Sequence, residues 1–434
     1  MSSTELSRRN IHTYPFKYSY LEPSLFFAPE PAVIYIHIPF CNTKCHFCDY
    51  TVYVNTSADL RQRYVDALCK EITDFPGNPA FPQFSIDAIY VGGGTPGVLE
   101  GHQLVRILQT VRETFQVADD LEVGVEFDPG SVTLDKMREI KSAGYNRVSI
   151  GVQSFEEHIL KENNRPHVLA DVFDAWNAIE TVGFENTNID LIYPLLGLDL
   201  PTYENSLRQA IALKPVSITA YPLEVWPETA YHHWLFKTNK RALPDRDTEI
   251  EMCRRSFDML EDAGYVRFST SGYFDPRRHT TYSRYLEYYW RTWPLIGFGV
   301  SSKSVIKDHL YTNIRPLREY IDRVNNGVSL LDFATRMTKD QEMRRVMIRG
   351  LKMCMVSKPN FQTRFGIPME LVYGAEIEDL VQRGLIDNLP DCIRLTREGQ
   401  VFSSNAWETF FTKEDLRAPT EEEVHFGLSE LVLT

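Results

Sequence analysis

The sequence predicts an α/β protein built from parallel β–α–β units, followed by a smaller, mainly helical, winged-helix-like unit. Three observations carry this. Between residues 33 and 224, short apolar runs alternate with segments of helical spacing, six times over. Chemistry-bearing residues stand where those runs stop, as they do in parallel barrels. After about residue 325 the alternation gives way to charged helical segments and a hairpin. Six repeats fall short of the eight of a closed (β/α)8 barrel, so an incomplete (β/α)6 barrel is expected.

The elements follow in order. VIYIHI, at 33–38, is a β-branched strand that runs into Cys41, Cys45 and Cys48. Residues 57–75 are helical, with Leu60, Tyr64, Leu68 and Ile72 on one stripe. AIYVGGG, at 88–94, is a buried strand ending in glycines, and 101–115 is a helix with Leu104, Ile107, Leu108 and Val111 inward. LEVGVEFDPG then gives strand three, 133–143 a helix and RVSIGVQ strand four. A helix at 169–183, the strand NTNIDLIY, a helix at 201–213 and the strand VSITAYPLE complete the series. A further helix at 248–263 precedes an aromatic-rich stretch at 280–302. The expected division is an N-terminal arm over 1–30, a barrel with its extension over 31–324, and a C-terminal unit with an acidic tail over 325–434. The aromatic density of the arm favours an ordered segment laid over the barrel.

Composition excludes several classes of function. The chain has 434 residues, enough for two cores, and its formal net charge is −13. No basic field would draw in nucleic acid. No apolar run is long enough to span a bilayer, and the first residues lack the apolar core of a signal peptide. Cys69, Cys253, Cys354 and Cys392 are scattered and show no disulfide framework, so a reducing cytoplasm is expected.

Cys41, Cys45 and Cys48 have the spacing C-x3-C-x2-C. Three thiolates on one loop can hold three irons of a [4Fe–4S] cluster and leave the fourth iron open. Zinc competes, with His46 or His37 as its fourth ligand.

This loop, with Phe47 before the last cysteine, resembles the radical S-adenosylmethionine (SAM) superfamily. The longer string YIHIPFC…CHFC resembles its HemN-like branch, named for oxygen-independent coproporphyrinogen III oxidase. GGGTP at 92–96, VEFDPG at 125–130, NRVSIGVQSF at 146–155, NTNIDLIY and GFGVSS at 297–302 continue the likeness in the family's order. The resemblance implies an open six-unit barrel, a [4Fe–4S] cluster on the three cysteines, and SAM as cofactor.

 The expectation here is two SAM molecules, one of them at the open iron.

Residue by residue, the resemblance places SAM among Tyr35, Phe47, Gly93, Gly94, Thr95, Glu126, Gln153, Arg165 and Asp190. Glu126, Tyr221 and Tyr282 are the expected catalytic residues, with Glu224, Tyr285, Tyr289 and Trp290 near the substrate. The family's chemistry implies reductive cleavage of SAM by one electron, supplied by a donor such as flavodoxin or ferredoxin, and hydrogen abstraction from carbon. Three branches compete. A coproporphyrinogen III oxidase normally carries a fourth cysteine two residues after the third, where this chain has Tyr50 after Asp49. A heme chaperone shares the Cys-Asp-aromatic ending, but its His-Asn…Tyr-Trp segment reads here as Tyr282-Ser283-Arg284-Tyr285 before Tyr289-Trp290. A C-methyltransferase fits the missing cysteine and the aromatic 280–302 stretch. The expectation is therefore methyl transfer to an sp2 carbon of an aromatic small molecule, such as a quinone (menaquinone-like) ring or a natural-product heteroaromatic.

Overall fold

The computed structural model describes residues 31–75, 84–238, 240–280 and 282–413. The expected arm at 1–30 and the acidic tail beyond 413 lie outside the described residues.

Six β–α units come in the expected order. They are β1 (Pro31–Ile38), α1 (Ala58–Asp74), β2 (Ser85–Gly93), α2 (Gly101–Thr114), β3 (Gln116–Phe127) and α3 (Leu134–Ala143). β4 (Arg147–Gln153), α4 (Glu157–Glu162), α5 (Leu169–Val182), β5 (Asn186–Tyr193), α6 (Leu200–Ala212) and β6 (Ser217–Pro222) follow. β1 is buried on both faces, which is why it reads as an apolar run without alternation. In α1 the Ser57 side chain caps the Leu60 amide, and Tyr64, Leu68 and Ile72 face the sheet.

Beyond α7 (Arg246–Asp262) the chain adds β7 (Val266–Arg267), β8 (Gly272–Phe274), α8 (Arg284–Trp290), β9 (Leu295–Phe298), β10 (Lys303–Ile306), β11 (His309–Asn313), α9 (Leu317–Asn326) and β12 (Leu331–Arg336). All twelve strands form one sheet, in the order β12-β11-β10-β9-β1-β2-β3-β4-β5-β6-β8-β7. Among the described residues the sheet does not close. β9 pairs parallel with β1, so the parallel run has seven strands where the sequence predicts six. β9 is only four residues long, too short to announce itself by periodicity.

Beyond β12 the described residues form α10 (Lys339–Lys352), β13 (Met355–Ser357), α11 (Lys358–Phe365), α12 (Met369–Gln382), a hairpin of β14 (Ile386–Asn388) and β15 (Cys392–Leu395), α13 (Arg397–Val401) and α14 (Ser403–Glu408). These elements share a second core, including Met347, Leu351, Phe361, Tyr373 and Trp407. β12 belongs to the large sheet, so the second core starts with α10 and not at residue 325.

One carboxylate binds the sheet's far side to α1. Glu71 accepts from the Gly299 amide (2.8 Å), the Asn313 side chain (2.6 Å) and the Tyr320 hydroxyl (2.5 Å). Burial pushes its pKa from 4.5 up to about 7. Glu71→Ala is expected to lower stability by about 3 kcal/mol, because three buried donors lose their acceptor, and Glu71→Gln by less. The folded pKa exceeds the unfolded one, so this stability is full below pH 4.5 and is lost as pH rises through about 7. Thermal unfolding across that window should show wild type losing stability relative to Glu71→Gln.

Candidate active site

The site begins with strand register. β1 and β2 pair so that Ile38 lies opposite Gly93, which brings the two loops beyond them side by side. The Gly94 amide donates to Ile38 (2.8 Å) and the Thr95 amide to Phe40 (2.7 Å). A Cβ at Gly94 would stand 2.7 Å from the Phe40 carbonyl oxygen and 3.1 Å from Cys41 Sγ. Only glycine lets the backbone approach the thiol loop this closely. Thr95 Oγ1 lies 3.4 Å from Cys41 Sγ. Cys41, Cys45 and Cys48 are free and half-buried. Burial pushes the Cys41 thiol up to about 11 and the Cys48 thiol up to about 12.

Arg165 returns to this loop from beyond β4. It donates to Cys45 Sγ (3.1 Å), Asp128 Oδ2 (2.7 Å) and the Gly151 carbonyl (2.6 Å). Burial opposes its charge, but Cys45 and Asp128 outweigh that and raise its pKa. Asp128 also meets His167 Nδ1 (3.0 Å) and the Gly130 amide (3.1 Å). Burial would raise the Asp128 pKa, yet His167 and Arg165 bring it below the usual value.

Three more polar groups stand on the strands: Glu126 and Gln153 at the ends of β3 and β4, and Asp190 within β5. Glu126 accepts from the Tyr90 hydroxyl (2.7 Å) and the Gly93 amide (3.3 Å), and burial raises it to about 7. Asp190 accepts from Ser149 (3.1 Å) and Asn188 (2.8 Å). Gln153 closes β4 at φ 69°, a left-handed conformation, and its buried Oε1 meets no hydrogen-bond partner among the described residues. A strained residue with an orphaned acceptor at this edge is what a ligand contact looks like before the ligand arrives.

Both histidines near the thiols are engaged elsewhere. His37 Nε2 faces the Thr51 carbonyl (3.1 Å), so that nitrogen carries the proton and Nδ1 accepts from the Tyr35 hydroxyl (3.0 Å). Burial lowers the His37 pKa to about 4. His46 Nδ1 lies 3.1 Å from the Glu162 carbonyl. Among the described residues, no three Cys, His, Asp or Glu groups converge as a single metal ion needs. Three thiols that line one loop, beside a backbone with no Cβ in the way, suit a group larger than one ion, with each thiolate on its own iron.

Phe47 packs edge-on against Tyr231, with centroids 6.2 Å apart. Tyr221, at the end of β6, is 42% exposed and faces the open side. Tyr282 is placed elsewhere. Its carbonyl accepts from Arg147, which also bonds Ser217, and Arg147 and Ser217 are the first residues of their strands. Its ring stacks on Phe268 at 4.0 Å. Tyr282 therefore sits at the strand starts, across the sheet from the thiols, and not in a catalytic position.

The sequence reading missed a group of buried cations. Arg345 and Arg349 are 1% exposed and Lys352 is 8% exposed, all on one face of α10. Lysines and arginines spaced along a helix read as a solvated stripe, and only the fold turns them inward.

The open parallel sheet and its three-thiol loop define a class, the radical SAM proteins, whose cofactors are a [4Fe–4S] cluster and SAM. Residues 35–210 match the model of the radical SAM superfamily, and 337–402 that of the HemN C-terminal domain. The chain is 30% identical over 379 residues to the heme chaperone HemW of Bacillus subtilis (strain 168), covering 87% of this chain and 98% of that one. It is 26% identical over 418 residues to the oxygen-independent coproporphyrinogen III oxidase of Escherichia coli (strain K12), covering 91% and 88%. The solved structure of the latter, HemN, superposes with a TM-score of 0.75 at 25% identity, covering 90% and 91%. The chain belongs to the HemN-like family of radical SAM proteins.

These relatives overturn the expected C-methyl transfer, because they are a heme chaperone and a coproporphyrinogen oxidase that match along 87% or more of this chain. The aromatic stretch that suggested it has another use. Tyr285 is buried and stacks on Tyr90 at 4.6 Å and on Tyr35 at 6.1 Å, so α8 is packed onto β1 and β2 as core. No helix among the described residues is long and apolar enough to cross a membrane.

Gln153→Gly should relieve the left-handed strain and remove the orphaned acceptor. It is expected to stabilise the ligand-free protein by about 1 kcal/mol, read as a higher unfolding temperature, while SAM binding weakens in calorimetry.

Proposed function

We propose that the protein is a tetrapyrrole-handling radical SAM protein of the heme-chaperone kind. The observation that carries this is the 30% identity to a heme chaperone over 98% of that protein's length. The Cys48-Asp49-Tyr50 ending supports it, since the oxidase branch has a fourth cysteine where Tyr50 stands. A second reading, oxidation of coproporphyrinogen III, is favoured by the full set of polar groups around the thiols and by the likeness to HemN. We place the two units at 31–336 and from 337 onward, following the two cores.

Cys41, Cys45 and Cys48 would each hold one iron, which requires their protons to leave. When bound, the cluster and SAM supply one-electron reductive chemistry able to break an unactivated C–H bond. The Gly93–Thr95 backbone gives the ligand an approach without side-chain obstruction. Glu126 and Asp190 offer carboxylates to cationic and hydroxyl groups, and Gln153 offers an acceptor with nothing yet on it. Arg165 holds the Cys45 sulfur and balances charge as thiolates form. Tyr35, through His37, braces the strand that leads to the loop. Phe47 and Tyr221 supply ring surface on the open side.

Alanine at any of the three cysteines is expected to abolish iron loading and the brown colour of anaerobically reconstituted protein. Hemin titration of the reconstituted wild type should give a saturable Soret shift. Absence of that shift, together with decarboxylation of coproporphyrinogen III and two SAM molecules bound per cluster, would transfer the assignment to the second reading. SAM affinity should rise with pH through about 7, because ionised Glu126 is the receiving form, and Glu126→Gln should flatten that dependence.

A further inference from the structure

The chain carries a net charge of −13, yet its C-terminal unit buries a cluster of the opposite sign. Arg345, Arg349 and Lys352 fall at i, i+4 and i+7 of α10, one face of the helix. That face looks at the large sheet. The Arg349 guanidinium lies 4.1 Å from the Tyr289 ring centre and 5.2 Å from that of Trp290. Lys352 Nζ lies 5.7 Å from the Trp290 ring centre and 3.9 Å from Glu224 Oε1, just past the end of β6. The Lys352 carbonyl accepts from the Thr270 amide at 2.8 Å. Lys303, the first residue of β10, lies within electrostatic reach of Arg345, Arg349 and Arg315.

Two acids face this group. Glu224 opposes Lys352, and Asp49, which follows the last thiol, opposes Lys303. They do not balance it. Arg349 Nε and Nη2 are buried and meet no hydrogen-bond partner among the described residues. Lys303 makes no ion pair among the described residues, and burial lowers its pKa to about 8. A buried guanidinium with unused donors is costly. The carboxyl end of α10, the ring faces and a hydrogen bond to the Tyr289 side chain offset part of that cost. The rest is uncompensated in the protein alone, so the arrangement is organised for an anion that arrives with a ligand.

We propose that Arg349, Lys352 and Lys303 form a carboxylate-receiving roof over the mouth of the sheet, which takes the acidic side chains of a flat ligand whose ring lies against Tyr289 and Trp290. The identity of that ligand as a tetrapyrrole rests on the reading above; the anion-binding roof does not.

The test titrates full-length, cluster-reconstituted protein with hemin and coproporphyrin III and with their methyl esters, which keep the ring and lose the charge. Arg349→Met is expected to weaken the acids about tenfold or more, Arg349→Lys to restore part of that, and Lys303→Gln to weaken them as well. The esters should bind wild type and variants alike. Arg349→Met should also unfold at a temperature no lower than wild type, since it removes an uncompensated buried charge; a merely structural arginine would show a drop. Acids and esters binding wild type equally, or both variants binding the acids like wild type, would overturn the roof and leave the tetrapyrrole reading standing. If wild type binds no tetrapyrrole at all, that reading fails, and benzene-1,2,4,5-tetracarboxylate decides the roof. Quenching of Trp290 fluorescence by this probe, absent in Trp290→Phe and lost in Arg349→Met, upholds it; no quenching in wild type overturns it. Should Arg349→Met not fold, Lys303→Gln carries both comparisons.

Discussion

The pairing of β1 with β2 is the constraint on which the site depends. Ile38 opposite Gly93 fixes where the two strands stop, and the backbone bonds from Gly94 and Thr95 then fasten one loop to the other. Slip that register by one residue and every inward side chain of β1 turns outward. The thiol loop owes its position to main-chain hydrogen bonds and a missing Cβ, and only then to side chains. This suits a loop that must present sulfur atoms and keep the rest of its surface free.

Electrostatics inside the molecule runs against its overall sign. The chain carries a net charge of −13, yet it buries several cations. Arg165 is matched by Asp128 and Cys45 and is held charged. Arg349 is left with donors unused. The first belongs to a finished structure, and the second to one completed by a ligand.

What could be read in the sequence follows from how local each feature is. The cysteine spacing, the glycine run and the strand–helix rhythm each lie within a few residues or one repeat, so they are visible in the chain itself. The helices at 57–75, 101–115 and 133–143 fall within a residue or two of their observed bounds. β9 was hidden because four residues carry no period, and its partner lies more than 250 positions away. Tyr282 was misplaced because an aromatic-rich run says nothing about which end of a sheet it will cover. The same run suggested an acceptor platform, but in the fold Tyr285 is core. The inward face of α10 was missed because charge on a helix says nothing of what the helix packs against.

Arg165 shows how tightly one position can be bound. Where β4 and β5 lose register between Gly151 and Gln153, the Gly151 carbonyl turns to the Arg165 guanidinium. One planar fork thus serves a carbonyl, a carboxylate and a sulfur in three directions. A lysine there keeps the charge and three donors, but gathers them on one tetrahedral nitrogen, where Arg165 spreads its bonds over two nitrogens of a planar group. Exchanging one basic residue for the other, a mild change on a protein surface, is therefore a disruptive one at this site.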